Sequence, residues 1–250
     1  MDADATYSRY EAIFEGIEAP FAFVDLKALE ANAAEMLGRA AGKPIRVASK
    51  SVRCCEVLRR IEGIDPRFQG LLCLTLPEAL HLSAEGFRDL VVAYPTVDRH
   101  AISALGQLAA TAGDAAEVPT LMVDDPAQLD VIESAIGSGS SAPIKVAIDV
   151  DAGYHAARGL VQIGPKRSPI RTPEQARKLA QEIVERPRLE LDGLMAYEGQ
   201  IAGVGDATPG GGMRNRAIRT MQARSAAELR ERRAAIVSAV ESVAPLRFVN

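Results

Sequence analysis

The sequence predicts an α/β barrel, and three observations support this fold class. Short apolar segments rich in Val, Ile and Leu alternate with segments of helical periodicity along most of the 250 residues. The apolar segments show no polar face, which is typical of parallel strands that are covered on both sides. Two long loops follow candidate strands directly, at 151–173 and 198–216. These features favour a (β/α)₈ TIM-type barrel, with an open doubly wound sheet as the second candidate.

Eight segments are predicted to be strands, and helical segments lie between them. The strands are predicted at 21–25, 44–49, 70–74, 89–94, 118–123, 143–150, 190–197 and 245–249. The helical stretches include "DLKALEANAAEMLGRAAG", "TLPEALHLSAEG", "DDPAQLDVIESAIG" and "RTPEQARKLAQEIVER". Three of them carry a Pro just after Leu, Asp or Thr, which suits the first turn of a helix.

Composition argues against several functional classes. The formal net charge of -4 and the lack of a dense Lys/Arg stripe argue against a nucleic-acid partner. No apolar run approaches the roughly 20 residues that span a membrane, and the acidic N-terminus does not resemble a secretory signal. The three cysteines have no CxxC spacing and the three histidines are scattered, so we expect reduced thiols, a cytoplasmic protein and no metal ligands in this chain.

The segment "PIRVASKSVR" at 44–53 carries the main candidate catalytic residue. Strand alternation puts Arg46, Ala48 and Lys50 on one face. Ala48 leaves room for a planar ligand, and a lysine partly removed from water can act as a Schiff-base amine. A strand-end lysine that simply reaches solvent is the alternative.

Arg46 and the segment "GLMAYEGQ" give two further hypotheses. A charged side chain deep in a strand needs a partner, and we expect Arg46 to pair with Asp149, Asp151 or Glu198, which lie at or just after strand ends. "GLMAYEGQ" ends a strand with aromatic, acidic and amide groups, including Tyr197. This tip is either a binding rim or the ordinary polar start of a loop.

Four segments together resemble the fold-type III pyridoxal phosphate enzymes: "PFAFVDLKALEANAAEM", "PIRVASKSVR", "LPEALHLSAEGFRDLVVAYP" and "GLMAYEGQIAGVGD". The chain is most similar to the D-threonine aldolase and D-serine dehydratase branch, the amino acid deaminase/aldolase family. Alanine racemases and the single-domain pyridoxal phosphate homeostasis proteins are more distant. The resemblance covers Pro20 to Asn250 and implies a barrel of the alanine racemase N-terminal class.

The resemblance also assigns site residues. It implies that Lys50 bonds to pyridoxal 5'-phosphate and acts as a base, with Tyr197 as a second catalytic residue. The remaining assignments are cofactor contacts at Arg46, Asn250 and either His155 or Arg158, and substrate contacts at Gln200 and Tyr94. Ala48 departs from the family pattern, because aldolases usually carry a histidine at that position.

The resemblance predicts an incomplete barrel. It places the barrel at 44–250 without its last strand, so that seven barrel strands remain. It places 1–43, including the strand at 21–25, against a C-terminal domain that would follow Asn250. In this branch that domain holds a metal-binding pair, so we expect the full-length protein to require a divalent metal and to form a homodimer.

The expected function is a pyridoxal phosphate-dependent lyase that acts on D-amino acids by aldol cleavage or dehydration. A non-catalytic pyridoxal phosphate-binding homeostasis protein, an amino acid racemase, and a cofactor-free aldolase that uses Lys50 remain as alternatives.

Overall fold

A computed structural model describes residues 3–137, 142–156 and 161–250. The chain divides into two compact units, Met1–Lys43 and Pro44–Asn250, which are described separately below. Within the described ranges, no helix has both the length and the apolar character needed to cross a membrane.

The first unit consists of two helices, α1 (Ala3–Ile13) and α2 (Leu26–Ala40). The strand predicted at 21–25 is wrong, because this segment is not part of any strand. The ring centroids of Phe21 and Phe23 lie 4.9 and 4.5 Å from that of Phe14. The alternating aromatic residues therefore pack beside the end of α1 rather than in a sheet. The side chain of Asp25 caps α2 by accepting a hydrogen bond from the backbone of Ala28.

The second unit alternates strands and helices. Its strands are β1 (Ile45–Ala48), β2 (Phe68–Cys73), β3 (Leu90–Val92), β4 (Leu121–Val123), β5 (Ile144–Val150), β6 (Tyr154–Ala156), β7 (Val161–Ile163), β8 (Leu189–Ala196) and β9 (Phe248–Val249). Its helices are α3 (Ser49–Val52), α4 (Cys55–Glu62), α5 (Leu76–Ala84), α6 (Arg99–Thr111), α7 (Pro126–Ala135), α8 (Pro173–Val184), α9 (Gly199–Ala202) and α10 (Gly212–Glu241), with a 3-10 turn at Ala115–Glu117.

Seven of the described strands run parallel in chain order, which confirms the predicted α/β barrel. The strands β1, β2 and β3 form one sheet, and β4, β5, β8 and β9 form another. A parallel bridge between Val91 and Thr120 joins the two sheets. Across the described residues, β9 forms no ladder with β1, so the barrel is not closed.

The two predicted long loops contain secondary structure of their own. The first, at 151–173, holds the antiparallel hairpin of β6 and β7. The second, at 198–216, contains α9 and ends inside α10, which begins at Gly212. The hairpin interrupts the β/α alternation after β5, and α10 packs against α8.

The middle of the barrel is an apolar layer. Val91, Met122, Ala147 and Met195 are buried together there, with Leu72 and Phe248 packed against them. A side-chain carbon at position 193 would lie 2.7 Å from the ring of Phe248. Glycine is therefore required at this position of β8, because the aromatic ring from β9 occupies the space.

The amino ends of the strands hold a network of paired charges. Arg46 lies 2.9 Å from the carboxylate of Asp89, and its side chain is only 9% exposed. Arg247 contacts Asp89 at 2.6 Å and Asp192 at 2.7 Å. The hydroxyl of Thr120 donates to Asp192. This pairing compensates for the removal of the charges from water.

The predicted partner of Arg46 was therefore wrong. The expectation that Arg46 is buried and paired holds, but its acid is Asp89 rather than Asp149, Asp151 or Glu198. Arg46 lies near the amino end of β1, level with the start of β3. The three expected partners lie at or beyond the carboxyl ends of their strands, at the other end of the barrel.

Replacement of Asp89 by asparagine tests this network. Asp89 has a φ of 54°, a conformation that asparagine also adopts readily, so Asp89→Asn removes charge without changing the backbone. Because Arg46 is buried, we expect the variant to lower the free energy of unfolding by about 3 kcal/mol in urea denaturation.

Glu85→Gln is the matched control, because Glu85 pairs with Arg59 where both side chains are largely exposed. We expect it to cost less than about 1 kcal/mol. Equal losses in the two variants would show that the Asp89 network contributes no more than a surface ion pair.

Candidate active site

Lys50 lies at the carboxyl end of β1, in the first turn of α3. Its side chain is half-buried, and its Nζ lies 5.7 Å from the ring centroid of Tyr94, just after β3. Among the described residues, no carboxylate forms an ion pair with this lysine. The structure therefore presents an uncommitted amine beside an aromatic face, at the end of the barrel where such folds place their active sites.

Arg167 lies close to the same aromatic ring. Its Cζ is 4.5 Å from the ring centroid of Tyr94 and 5.7 Å from that of Tyr197. Its Nε and Nη2 donate to Oδ2 of Asp149 at 3.2 and 3.1 Å, and Nη2 also donates to the carbonyl of Ala93. Two rings and one carboxylate thus fix the guanidinium at the mouth of the barrel.

Arg167 belongs to a segment, residues 165–171, that we call the mouth strap. The hydroxyl of Ser168 donates to the backbone carbonyl of Asp149 at 2.7 Å. Arg171 pairs with Asp151 at 2.8 Å and with Glu228 at 3.2 Å. The strap is therefore attached both to the end of β5 and to α10.

Asp149 is the most deeply buried acid of the mouth, with a side chain only 1% exposed. Burial raises the pKa of Asp149 to about 6, although the Arg167 guanidinium acts in the opposite direction. Its Oδ1 has no hydrogen-bond partner among the described residues. Among the described residues, hydrogen bonds therefore hold only the Oδ2 atom of Asp149.

The choice between His155 and Arg158 as a cofactor contact stays open. Arg158 lies outside the described residues. His155 is in β6, and its Nε2 is buried 3.6 Å from Asp151 without a hydrogen bond to any described residue.

The other predicted site residues are distributed as follows. Tyr197, 47% exposed, follows β8 at the mouth. Asn250 is exposed at the carboxyl end of β9, where its backbone pairs with Leu194 and Ala196. Arg46 lies in the charge network at the opposite end.

Gln200 is not on an open rim. It is 1% exposed, and its amide donates to the carbonyl of Ala152 at 2.6 Å and to the hydroxyl of Ser225 at 2.9 Å. The substrate contact predicted for this residue stays a prediction. The loop that follows β8 turns its amide inward, where it links the end of β5 to α10.

The structure thus brings Lys50, Tyr94 and Tyr197 together with two groups that have no site role in the sequence analysis. The sequence pattern predicts Asp149 only as a possible partner for Arg46 and assigns no role to Arg167. The sequence pattern that could have indicated this pair is an acid near the end of an apolar strand followed by the basic stretch "PKRSPIR". In the part of the chain that the structure describes, no three His, Cys, Asp or Glu side chains are placed to hold a metal ion.

The pKa of Asp149 leads to a prediction about stability. Because the folded-state pKa, about 6, lies above the ordinary value, ionisation of Asp149 lowers the free energy of unfolding as pH rises through about 4 to 6. Asp149→Asn mimics the protonated form. Relative to the wild type, we expect it to become more stable by about 2.5 kcal/mol between pH 4 and pH 7.5.

Urea denaturation of both proteins at the two pH values measures this difference. Glu117→Gln serves as a control, because Glu117 is paired with Arg88 nearer the surface. A stability difference between Asp149→Asn and the wild type that does not change with pH would contradict the assignment.

Solved structures share this architecture. D-threonine aldolase from Filomicrobium marinum matches 93% of this chain and 56% of its own, with a TM-score of 0.69 and 20% identity. A mutant D-threo-3-hydroxyaspartate dehydratase matches 95% of this chain and 54% of its own, with a TM-score of 0.64 and 20% identity. Alanine racemase from Bacillus anthracis matches 93% and 52%, with a TM-score of 0.60 and 18% identity. At these identities the likeness is one of fold.

Sequence comparison agrees with the fold. A D-threonine aldolase of Arthrobacter sp is 26% identical over 187 residues, which are 74% of this chain and 44% of the relative. The chain spans about half the length of the relatives it matches. The family described as "Alanine racemase, N-terminal domain" matches residues 24–248. The chain therefore belongs to the alanine racemase N-terminal domain family, which has the barrel of the fold-type III pyridoxal phosphate enzymes.

Proposed function

We propose that this chain is the pyridoxal phosphate-binding barrel of a lyase that acts on D-amino acids, by aldol cleavage or dehydration. The observation that carries the proposal is the uncommitted amine of Lys50 at the mouth of the barrel, beside Tyr94. The names of similar proteins, D-threonine aldolase and D-threo-3-hydroxyaspartate dehydratase, support a lyase.

The residues at the mouth fit pyridoxal phosphate. Lys50 provides the amine that a carbonyl group requires, and the phenol ring of Tyr94 provides a flat apolar surface beside it. Asn250 follows β9, where the family resemblance puts the beginning of the phosphate site. When bound, the cofactor withdraws electrons from the substrate and stabilises negative charge at its α-carbon.

The chain's own residues supply attachment, proton transfer and shielding. Lys50 would hold the cofactor through its amine, and its Nζ would take or return a proton at the substrate's α-carbon. Tyr94 and Tyr197 lie on Arg167 and limit the access of water to its guanidinium. Asp149 keeps Arg167 in place at the mouth.

Racemisation is the second candidate reaction, because the barrel also matches alanine racemase from Bacillus anthracis. A racemase returns the proton at the α-carbon from the opposite side and breaks no carbon–carbon or carbon–oxygen bond. The products formed from one substrate therefore distinguish the two functions.

The assignment of Lys50 predicts the fate of added cofactor. After incubation with pyridoxal phosphate and reduction with borohydride, we expect Lys50→Ala to lose at least about tenfold of the covalent label and the visible absorbance of the bound form. Peptide mass spectrometry of the wild type should place the label on Lys50.

Lys166→Ala is the matched control, because Lys166 is an exposed lysine on the mouth strap. We expect it to keep wild-type labelling. If Lys50→Ala keeps the label as well, the cofactor does not bond to Lys50 and the proposal fails. Borohydride trapping of a carbonyl substrate without pyridoxal phosphate would instead indicate a cofactor-free aldolase.

Product analysis with D-threonine tests the reaction class. With pyridoxal phosphate and a divalent metal present, an aldolase gives glycine and acetaldehyde, whereas a dehydratase gives 2-oxobutanoate and ammonia. We expect one of these pairs from D-threonine, and at least about tenfold less from L-threonine. Inversion at the α-carbon alone would indicate the racemase, and labelling of Lys50 without any turnover would indicate a carrier of the cofactor.

A further inference from the structure

The guanidinium of Arg167 is fixed by hydrogen bonds from two of its three nitrogen atoms. Nε and Nη2 make all its hydrogen bonds to the described residues, with Asp149 and the carbonyl of Ala93 as acceptors. Nη1 has no acceptor among these residues, and it is not one of the buried polar atoms that lack a partner. Since the side chain is 16% exposed, Nη1 still has access to solvent at the mouth.

The surroundings of Arg167 favour recognition of an anion. The rings of Tyr94 and Tyr197 lie within cation–π distance of its Cζ, and Asp149 fixes the plane of the guanidinium from below. A planar guanidinium that is oriented in advance binds a carboxylate without losing further side-chain freedom.

Arg167 is also close to the reacting amine. Lys50 Nζ and Arg167 Cζ lie 5.7 and 4.5 Å from the same ring centroid, that of Tyr94. An amino acid that replaces the amine of Lys50 places its carboxylate one carbon away from the new bond. That carboxylate needs a cation near Lys50.

Two other described arginines near the ends of the barrel are paired with carboxylates. Arg171 divides its guanidinium between Asp151 and Glu228. Arg46 lies in the charge network at the amino ends of the strands.

We propose that Nη1 of Arg167 binds the α-carboxylate of the substrate, so that this barrel selects α-amino acids over amines that lack a carboxylate. Asp149 is a positioning residue for Arg167. The inference rests on the proposed function, because it requires an amine substrate to join at Lys50.

The charge balance of the mouth permits a second carboxylate. Arg167 already faces Asp149, and an incoming substrate adds another negative charge. Because burial raises the pKa of Asp149 to about 6, this acid takes up a proton more readily than an ordinary aspartate when the substrate arrives. Arg167 then holds one charged carboxylate and one neutral carboxyl group.

The test compares two ligands on the protein loaded with pyridoxal phosphate. D-threonine and 1-amino-2-propanol differ by the α-carboxylate alone, and each changes the visible absorbance of the bound cofactor when it replaces the lysine amine. We expect Arg167→Gln to weaken the apparent affinity for D-threonine by about 10- to 100-fold. Its affinity for the amino alcohol and its uptake of pyridoxal phosphate should stay within about twofold of wild type.

Two further variants complete the comparison. Lys166→Gln removes a neighbouring positive charge from the mouth strap, and we expect it to leave both ligand affinities unchanged. Arg167→Lys keeps the charge beside Asp149 but lacks the planar fork, and we expect an intermediate loss for D-threonine. This variant also decides the question if the glutamine variant does not fold.

The outcomes separate this inference from the proposed function. If Arg167→Gln weakens both ligands equally, or weakens uptake of pyridoxal phosphate itself, Arg167 serves the cofactor and the carboxylate assignment is overturned. An unchanged preference for D-threonine in both Arg167 variants overturns it as well. If the wild type takes up the cofactor on Lys50 but responds to neither ligand, the proposed function fails, and this inference fails with it.

Discussion

The pairing of charges inside the barrel is the constraint on which the rest of the structure depends. Charged side chains enter the interior from both ends of the strands, and each needs an opposite charge because water is excluded there. At the amino ends, Arg46 and Arg247 share Asp89. At the carboxyl ends, Asp149 pairs with Arg167, and its Oδ1 has no hydrogen-bond partner among the residues that the structure describes. The apolar layer between the two groups separates them, so that the charges at the amino ends pair with one another and those at the carboxyl ends pair with the mouth strap.

Much of the fold and the position of Lys50 could be predicted from the sequence, because both depend on local patterns. Apolar segments and helical periodicity identify the seven barrel strands, and a lysine just after a strand lies at the mouth. The pairing of buried charges could not be predicted in the same way. Asp89 lies 43 residues from Arg46, and the register between distant strands decides which acid is level with it. Arg167 lies 18 residues from Asp149, in a segment without periodicity, so only the folded chain shows that they meet.

The mouth is stabilised by a part of the chain that does not itself line it. The long helix α10 contributes Arg232, which donates to the carbonyls of Asp151 and Gly153, and Ser225, which accepts from Gln200. The loops that follow β5 and β8 are therefore fixed by side chains from a later helix. Gln200 shows that a polar residue just after a strand end can attach its loop to a neighbouring helix.

The contact between Gly193 and Phe248 bears on how the chain matures during translation. Because the ribosome releases β8 before α10 and β9, the space beside Gly193 stays unfilled until the ring of Phe248 packs there. Until β9 docks, the apolar surface beside Gly193 faces water, and exposed apolar surface of this kind promotes aggregation. The interval between synthesis of β8 and docking of β9 is therefore the stage at which this part of the barrel is most exposed to aggregation.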